Sequence, residues 1–311
     1  MRRPAELKRN EAAVDSANVE DAIRVVADNV EATEAWNGPL FEIWIEYRGL
    51  VAESLRPHSE NALAANPPHE GDRVLDIGCG LGDTTLRLAG LVGADGHAHG
   101  VDVAEQMIET AIEEAAEAGV DNVSYATCDV EVTRFDQTFD YAFSRFGTMF
   151  FANPVTALRN VREALRPGGL LNLVVWRRKL DNEFMHRAEL VVAEYLEEPE
   201  EYDVPRCGPG PFSMANADTV SDVLKHAGFE EIGLARQDLP YKIGNDLDHA
   251  VAFNVALGPA AEVLRMWGYR VDDLRPKIAA DLREALADYV VDGGAVVAPS
   301  STWAVTARAP R

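Results

Sequence analysis

The stretch Val74-Leu75-Asp76-Ile77-Gly78-Cys79-Gly80-Leu81-Gly82-Asp83 concentrates chemistry in this chain. An apolar run reaches a carboxylate, passes through three alternating glycines and meets an acid that can open a helix. Glycines at 78, 80 and 82 let a ligand approach the backbone without meeting a Cβ. They do so at the carboxyl end of a strand, where open parallel sheets bind their ligands. A carboxylate at position 76 would repel a phosphate and attract an ammonium. The third glycine falls two positions after the second, one short of the dinucleotide fingerprint G-x-G-x-x-G, and no Gly-Lys-Ser/Thr follows as a phosphate loop requires.

Two further acids stand at comparable places. Asp102 closes Gly100-Val101-Asp102, about 20 residues past the glycine turn, where a carboxylate can accept from both hydroxyls of a ribose. Nicotinamide enzymes also place an acid there, so this residue alone does not choose a cofactor. Asp129, in Cys128-Asp129-Val130, can accept from the exocyclic amine of an adenine while Val130 and Met107 pack against the ring. Taken singly, each of these aspartates could be a turn or helix-cap residue. Three at successive strand ends is a pattern that chance seldom produces.

The elements that must position these acids follow from the alternation of short apolar strands with amphipathic helices from Arg73 onward, the mark of a parallel sheet built from βαβ units. The spacing predicts strands at Val74–Ile77, Ala98–Val101, Val123–Thr127, Tyr141–Ser144 and Leu170–Trp176, with helices near Asp83–Val92, Ala104–Ala118 and Pro154–Leu165. Pro167-Gly168-Gly169 ends the last of these helices. Further along, Phe184–Leu196 and Ala217–Ala227 read as helices, Glu231–Asp238 and residues 302–307 as strands, and residues from about Asp246 to Val291 as mostly helical.

Before the core, apolar residues recur at helical spacing from Val19 to about His58, in two helices joined at Asn37-Gly38-Pro39. Residues 1–17 are polar and read as a loose terminus, and Asn66-Pro67-Pro68 closes the leader. The organisation expected is therefore a helical cover over residues 1–70, a core over 71–240, a helical insertion over 241–298 serving as lid or edge cover, and a last core strand over 299–311.

Composition narrows the function. A net charge of −23 repels polyphosphates and anionic headgroups, which argues against nucleic-acid and membrane partners. Cys79, Cys128 and Cys207 are too few and too scattered for a disulfide framework or a zinc site. No export signal or apolar span is expected, and a cytoplasmic location is. Asn66-Pro67-Pro68-His69 imitates the motif of amino-methylating DNA enzymes but precedes the glycine turn instead of following the fourth strand.

With these residues in place, VLDIGCGLG, GVD followed by Met107, CDV, FDYAFSRFGTMFF and ALRPGGLL together resemble class I S-adenosylmethionine-dependent methyltransferases, and among them the ubiquinone/menaquinone-biosynthesis type and its small-molecule relatives. The resemblance covers about residues 71–177. It implies a Rossmann-like, doubly wound, mostly parallel seven-stranded α/β sheet with an N-terminal helical cover and a helical insertion before the last strand. It also implies S-adenosylmethionine as cofactor, S-adenosylhomocysteine as product and a small-molecule methyl acceptor, with a homodimer left open.

Carried over by position, Asp76 would hold the methionine ammonium, Gly78, Gly80 and Gly82 its backbone path, Asp102 with Val103 the ribose, and Asp129, Val130 and Met107 the adenine. Ser144, Arg145 and Phe146 would flank the methionine part. A sulfonium is attracted to aromatic faces, so Trp36, Tyr47, Phe146, Phe150 and Trp176 are candidates for a wall around the methyl and its acceptor. In-line transfer needs alignment more than a base; should one act, Tyr47, His58 and His186 are the candidates. Catechol-type relatives add a metal, and Asp181-Asn182 stands near their ligand pair, but Ser144-Arg145 replaces their further acid and no metal is expected. The alternatives carried beside methyl transfer are another S-adenosylmethionine-using alkyl transferase and a non-catalytic cofactor-binding subunit.

Overall fold

The computed structural model describes residue 30, residues 32–196 and residues 209–311. The expected loose terminus, the start of the first leader helix around Val19–Val26 and Cys207 lie outside the described residues.

Seven strands form one sheet in the order β3-β2-β1-β4-β5-β7-β6. They are β1 (Arg73–Ile77), β2 (His97–Asp102), β3 (Val123–Thr127), β4 (Phe139–Arg145), β5 (Leu165–Trp176), β6 (Glu230–Gly244) and β7 (Val296–Arg308). β1 to β5 pair in parallel, and β7 runs antiparallel to both β5 and β6. This is the doubly wound, mostly parallel sheet expected. β1 is buried along Val74–Ile77, as a central strand covered on both faces must be.

A short helix over residues 32–36 (α1) turns at residues 37–38 into α2 (Pro39–Ala65). α2 outlasts the expected end near His58 because it lies on β5 and β6, where Ser54 Oγ donates to Lys242 O (2.6 Å) and Asn172 Nδ2 to Ala62 O (3.1 Å). Tertiary contact of this kind carries the helix through Pro57. Crossover helices α3 (Asp83–Val92), α4 (Glu105–Ala118) and α5 (Pro154–Ala164) link the parallel strands.

α5 stops at Ala164, and Pro167-Gly168-Gly169 lies inside β5 as an irregularity in its pairing with β4. Beyond β5 come α6 (Glu183–Ala193), α7 (Ala217–Ala227) and, between β6 and β7, α8 (Leu247–Ala256), α9 (Pro259–Trp267) and α10 (Arg275–Leu286). α6 packs on α9 and α10 and so joins the helices after β6 in one layer, whereas α7 packs on α5. Both β6 and β7 are longer than expected, and they pair from Glu230–Arg308 to Gly244–Val296. No described helix is long and apolar enough to cross a membrane.

Candidate active site

A cavity of about 560 Å³ opens at the carboxyl ends of the parallel strands. It lies where the chain leaves β1 toward β2 on one side and β4 on the other, the switch point at which open sheets hold ligands. Its volume falls within the ~300–1,000 Å³ of ordinary small-molecule sites.

The glycine loop forms one wall. Gly78, Gly80 and Gly82 all take positive φ, at 65°, 54° and 84°. Their surroundings differ. A Cβ on Gly78 would sit 3.0 Å from Gly147 Cα, so two backbones touch there and bring the end of β4 against the loop. A Cβ on Gly80 would meet only Met107 Sδ, at an ordinary contact distance of 3.8 Å. A Cβ on Gly82 would strike Tyr125 Oη at 2.8 Å and Ala111 Cβ at 2.9 Å, so this glycine serves the packing behind the loop.

The three strand-end acids likewise separate. Asp102 lines the cavity; its Oδ2 accepts from Gly80 N (2.9 Å) and its Oδ1 from Ala104 N (2.9 Å). Burial raises its pKa and these backbone donors oppose the rise. Asp76 is 1% exposed, accepts from Thr85 Oγ1 (2.7 Å) and does not line the cavity. Burial pushes its carboxyl up to about 7. Asp129 borders a smaller depression shared with Thr33, Val103 and Cys128, and its Oδ1 accepts from Glu131 N (2.9 Å). Val130 and Met107 face the main cavity, and Asn160 Nδ2 holds Val130 by donating to its carbonyl (2.9 Å).

At the end of β4, Ser144 is buried and donates to Ile77 O (2.7 Å), bracing β4 on β1 rather than facing the cavity. Arg145 does face it and donates through Nη2 to Asp83 Oδ1 (2.7 Å). Phe146 follows at φ 59°, an unusual value for a bulky residue. Its ring stacks on Trp176 at 4.4 Å and 29°. Trp36 and Phe150 complete the aromatic wall, 5.3 Å apart and edge to face. The α1–α2 turn sets Trp36 there: Asn37 Nδ2 donates to Val103 O (3.2 Å), and Glu105 N donates to Asn37 Oδ1 (2.9 Å).

The base candidates lie off the cavity. His58 is fully buried behind Phe146 and Trp176, with its two ring nitrogens on Ser300 Oγ (3.0 Å) and Thr302 Oγ1 (3.2 Å). Burial lowers its pKa to about 4. Tyr47 is held between α2 and α8 by stacking on His249 and tilting on Phe253. His186 projects from α6 beside Glu189 (3.8 Å). Asp181 and Asn182 are spent on structure: Asp181 accepts from Arg178, and Asn182 Oδ1 accepts from Ser301 N (2.8 Å). Among the described residues no cluster of three or more His, Cys, Asp or Glu could hold a metal.

Sequence reasoning did not name the opposite wall residue by residue. It comes from Lys179, Phe184, Met185 and Glu189 around α6, from residues 209–212, from Tyr241 on β6, and from Asn254 to Met266 on α8 and α9. Lys179 pairs with Glu189 (2.6 Å) and Arg265 with Glu262. Only the polar and apolar character of these segments was readable, because helices packed from distant parts of the chain decide which side chains face inward.

Residues 68–227 match the protein family described as "Methyltransferase domain". The chain belongs to this methyltransferase family. That agrees with the resemblance drawn from the glycine loop and the strand-end acids. Nocamycin O-methyltransferase of Saccharothrix syringae is 30% identical over 282 residues, covering 84% of this chain and 94% of that one. Aklanonic acid methyltransferase DauC of Streptomyces sp. (strain C5) is 36% identical over 124 residues, and there the match spans 40% of this chain and only 56% of the relative's length. Among solved structures, the YcgJ protein of Bacillus subtilis shares the fold with a TM-score of 0.52 at 19% identity, over 82% of this chain and 98% of that one.

Proposed function

We propose that the protein transfers a methyl group from S-adenosylmethionine to a small-molecule acceptor. The observation that carries this reading is the pairing of Asp102 with the backbone of Gly80, both of them lining the switch-point cavity. A carboxylate has about four acceptor sites, and the two backbone donors on Asp102 leave capacity for ribose hydroxyls. Gly80 offers a backbone a ligand can touch, and Met107 and Val130 offer apolar surface for a purine.

Three of the carboxylates that line the cavity, Asp83, Glu189 and Glu262, are paired with Arg145, Lys179 and Arg265, which leaves Asp102 as the lining acid without a cationic partner among the described residues. The residues present fit an adenosyl amino acid, and the glycine spacing, one short of the dinucleotide fingerprint, speaks against a nicotinamide dinucleotide.

When bound, S-adenosylmethionine would supply an activated methyl. The chain supplies alignment and dryness. Asp102 and the glycine loop would fix the adenosyl end. Phe146, Trp176, Trp36 and Phe150 exclude water and present ring faces suited to a sulfonium. His58, with both nitrogens engaged and its ring kept neutral, supports the aromatic wall from behind and takes no proton from an acceptor.

Isothermal titration with S-adenosylmethionine and S-adenosylhomocysteine tests the reading, followed by release of S-adenosylhomocysteine in a pooled metabolite extract. Binding of both, with release, is expected. Indifference to both ligands combined with binding of a nicotinamide dinucleotide would overturn it.

A further inference from the structure

Tyr241 carries a hydroxyl that the other described residues leave unused. It sits on β6, at the edge of the sheet opposite β3 and so across the cavity from the glycine loop and Asp102. The residue is 5% exposed. Its ring is fixed on two sides, face to face with Phe184 at 5.2 Å and 17° and edge to face with Trp176 at 5.6 Å and 70°. No described residue hydrogen-bonds its hydroxyl, yet the oxygen is not among the sealed, unsatisfied atoms of the interior, and Tyr241 lines the cavity.

Buried polar groups in folded proteins find partners, and one without a protein partner in a cavity wall points to a ligand. The neighbouring polar groups at this end are already engaged. Lys179 Nζ donates to Glu189 (2.6 Å), Arg265 to Glu262, and Asn254 Nδ2 to Ala250 O (2.9 Å). Burial pushes the Tyr241 phenol above its ordinary value, with Arg145 acting against that rise, so the group stays protonated. It is a donor and not a base.

We propose that Tyr241 is the acceptor-side binding residue, donating a hydrogen bond to a hydroxyl or carbonyl oxygen on an apolar, ring-like acceptor. The inference rests on the methyl-transfer reading for the word acceptor and on cavity geometry for the contact. The ring wall of Phe146, Trp176, Tyr241 and Phe184 provides the apolar half of that recognition. The hydroxyl provides the polar half and sets the orientation.

The test compares 2-naphthol with naphthalene by equilibrium dialysis, on protein saturated with S-adenosylhomocysteine. Wild type should bind 2-naphthol about tenfold more tightly than naphthalene, the worth of one buried hydrogen bond. Tyr241→Phe keeps the ring, so its naphthalene affinity should match wild type while its preference for 2-naphthol falls to near unity. Its affinity for S-adenosylhomocysteine should stay within twofold. A wild type without the preference, or a Tyr241→Phe variant that keeps it, overturns the proposal. Failure of wild type to bind S-adenosylhomocysteine strikes the methyl-transfer reading instead; the naphthol comparison is then run on the free protein and still decides the role of Tyr241.

Discussion

Gly80 N donates to Asp102 Oδ2 across 2.9 Å, tying the loop after β1 to the end of β2. The same carboxylate accepts from Ala104 N and so also fixes the start of α4. Asp102→Asn keeps the size but turns one acceptor into a donor facing a backbone N–H. Hydrogen bonds to charged groups contribute ~1.5–3 kcal/mol, so the variant should bind S-adenosylhomocysteine about 10- to 100-fold more weakly by isothermal titration. Equal affinity would remove the ribose assignment.

Two glycines of the loop should fail in different ways. Gly82→Ala adds a methyl against Tyr125 and Ala111 at φ 84°, and strain plus overpacking should cost about 3 kcal/mol in urea unfolding. Gly80→Ala meets only an ordinary contact with Met107 Sδ, so its cost should stay near ~1 kcal/mol from the positive φ alone. Because Gly80 and Met107 both line the cavity, ligand binding should drop sharply while the fold survives.

Phe146 combines a stacked ring with a left-handed backbone. Phe146→Ala should lose about 3 kcal/mol from the emptied wall. Phe146→Gly should be the more stable of the two truncations by ~1 kcal/mol, since glycine alone takes this φ without strain. Chemical denaturation of both variants checks the order, which inverts the usual preference for alanine.

His58 and Asp76 give opposite pH signatures. Burial lowers the His58 pKa to about 4, so its contribution is fully present above the unfolded value near 6.5 and is lost as pH falls toward 4. Asp76 is pushed up to about 7, so its contribution is present below the unfolded value near 3.8 and is lost as pH rises through 7. Relative to wild type, His58→Asn should therefore gain stability between pH 7 and pH 5, and Asp76→Asn should gain it in the reverse direction. Unfolding curves at these two pH values suffice, and a pH-independent difference for either variant would refute its assignment.

What the sequence made legible was local. The glycine loop, the start of α3 at Asp83 and the placement of Asp102 depend on turn chemistry within a few residues, and they appear where the spacing put them. The depth of a side chain is set by partners elsewhere in the chain. Asp76 turns under the loop because Thr85 waits there, and Ser144 is drawn to the carbonyl of Ile77. Tyr241 escaped notice because Pro240 masks the strand pattern at that point, while β7 provides the pairing that extends β6 past it. Gly147 shows its purpose only once Gly78 is seen to touch it.

The position of β7 between β5 and β6 has a consequence for biogenesis. Among the described strands β6 pairs with β7 alone, although the whole α8–α10 segment is synthesised between them. During translation the glycine loop and its acids can assemble early, whereas the far wall must wait until Val296–Arg308 has left the ribosome. Nascent chains arrested before that strand should therefore hold a folded glycine-loop half beside an unfinished far wall.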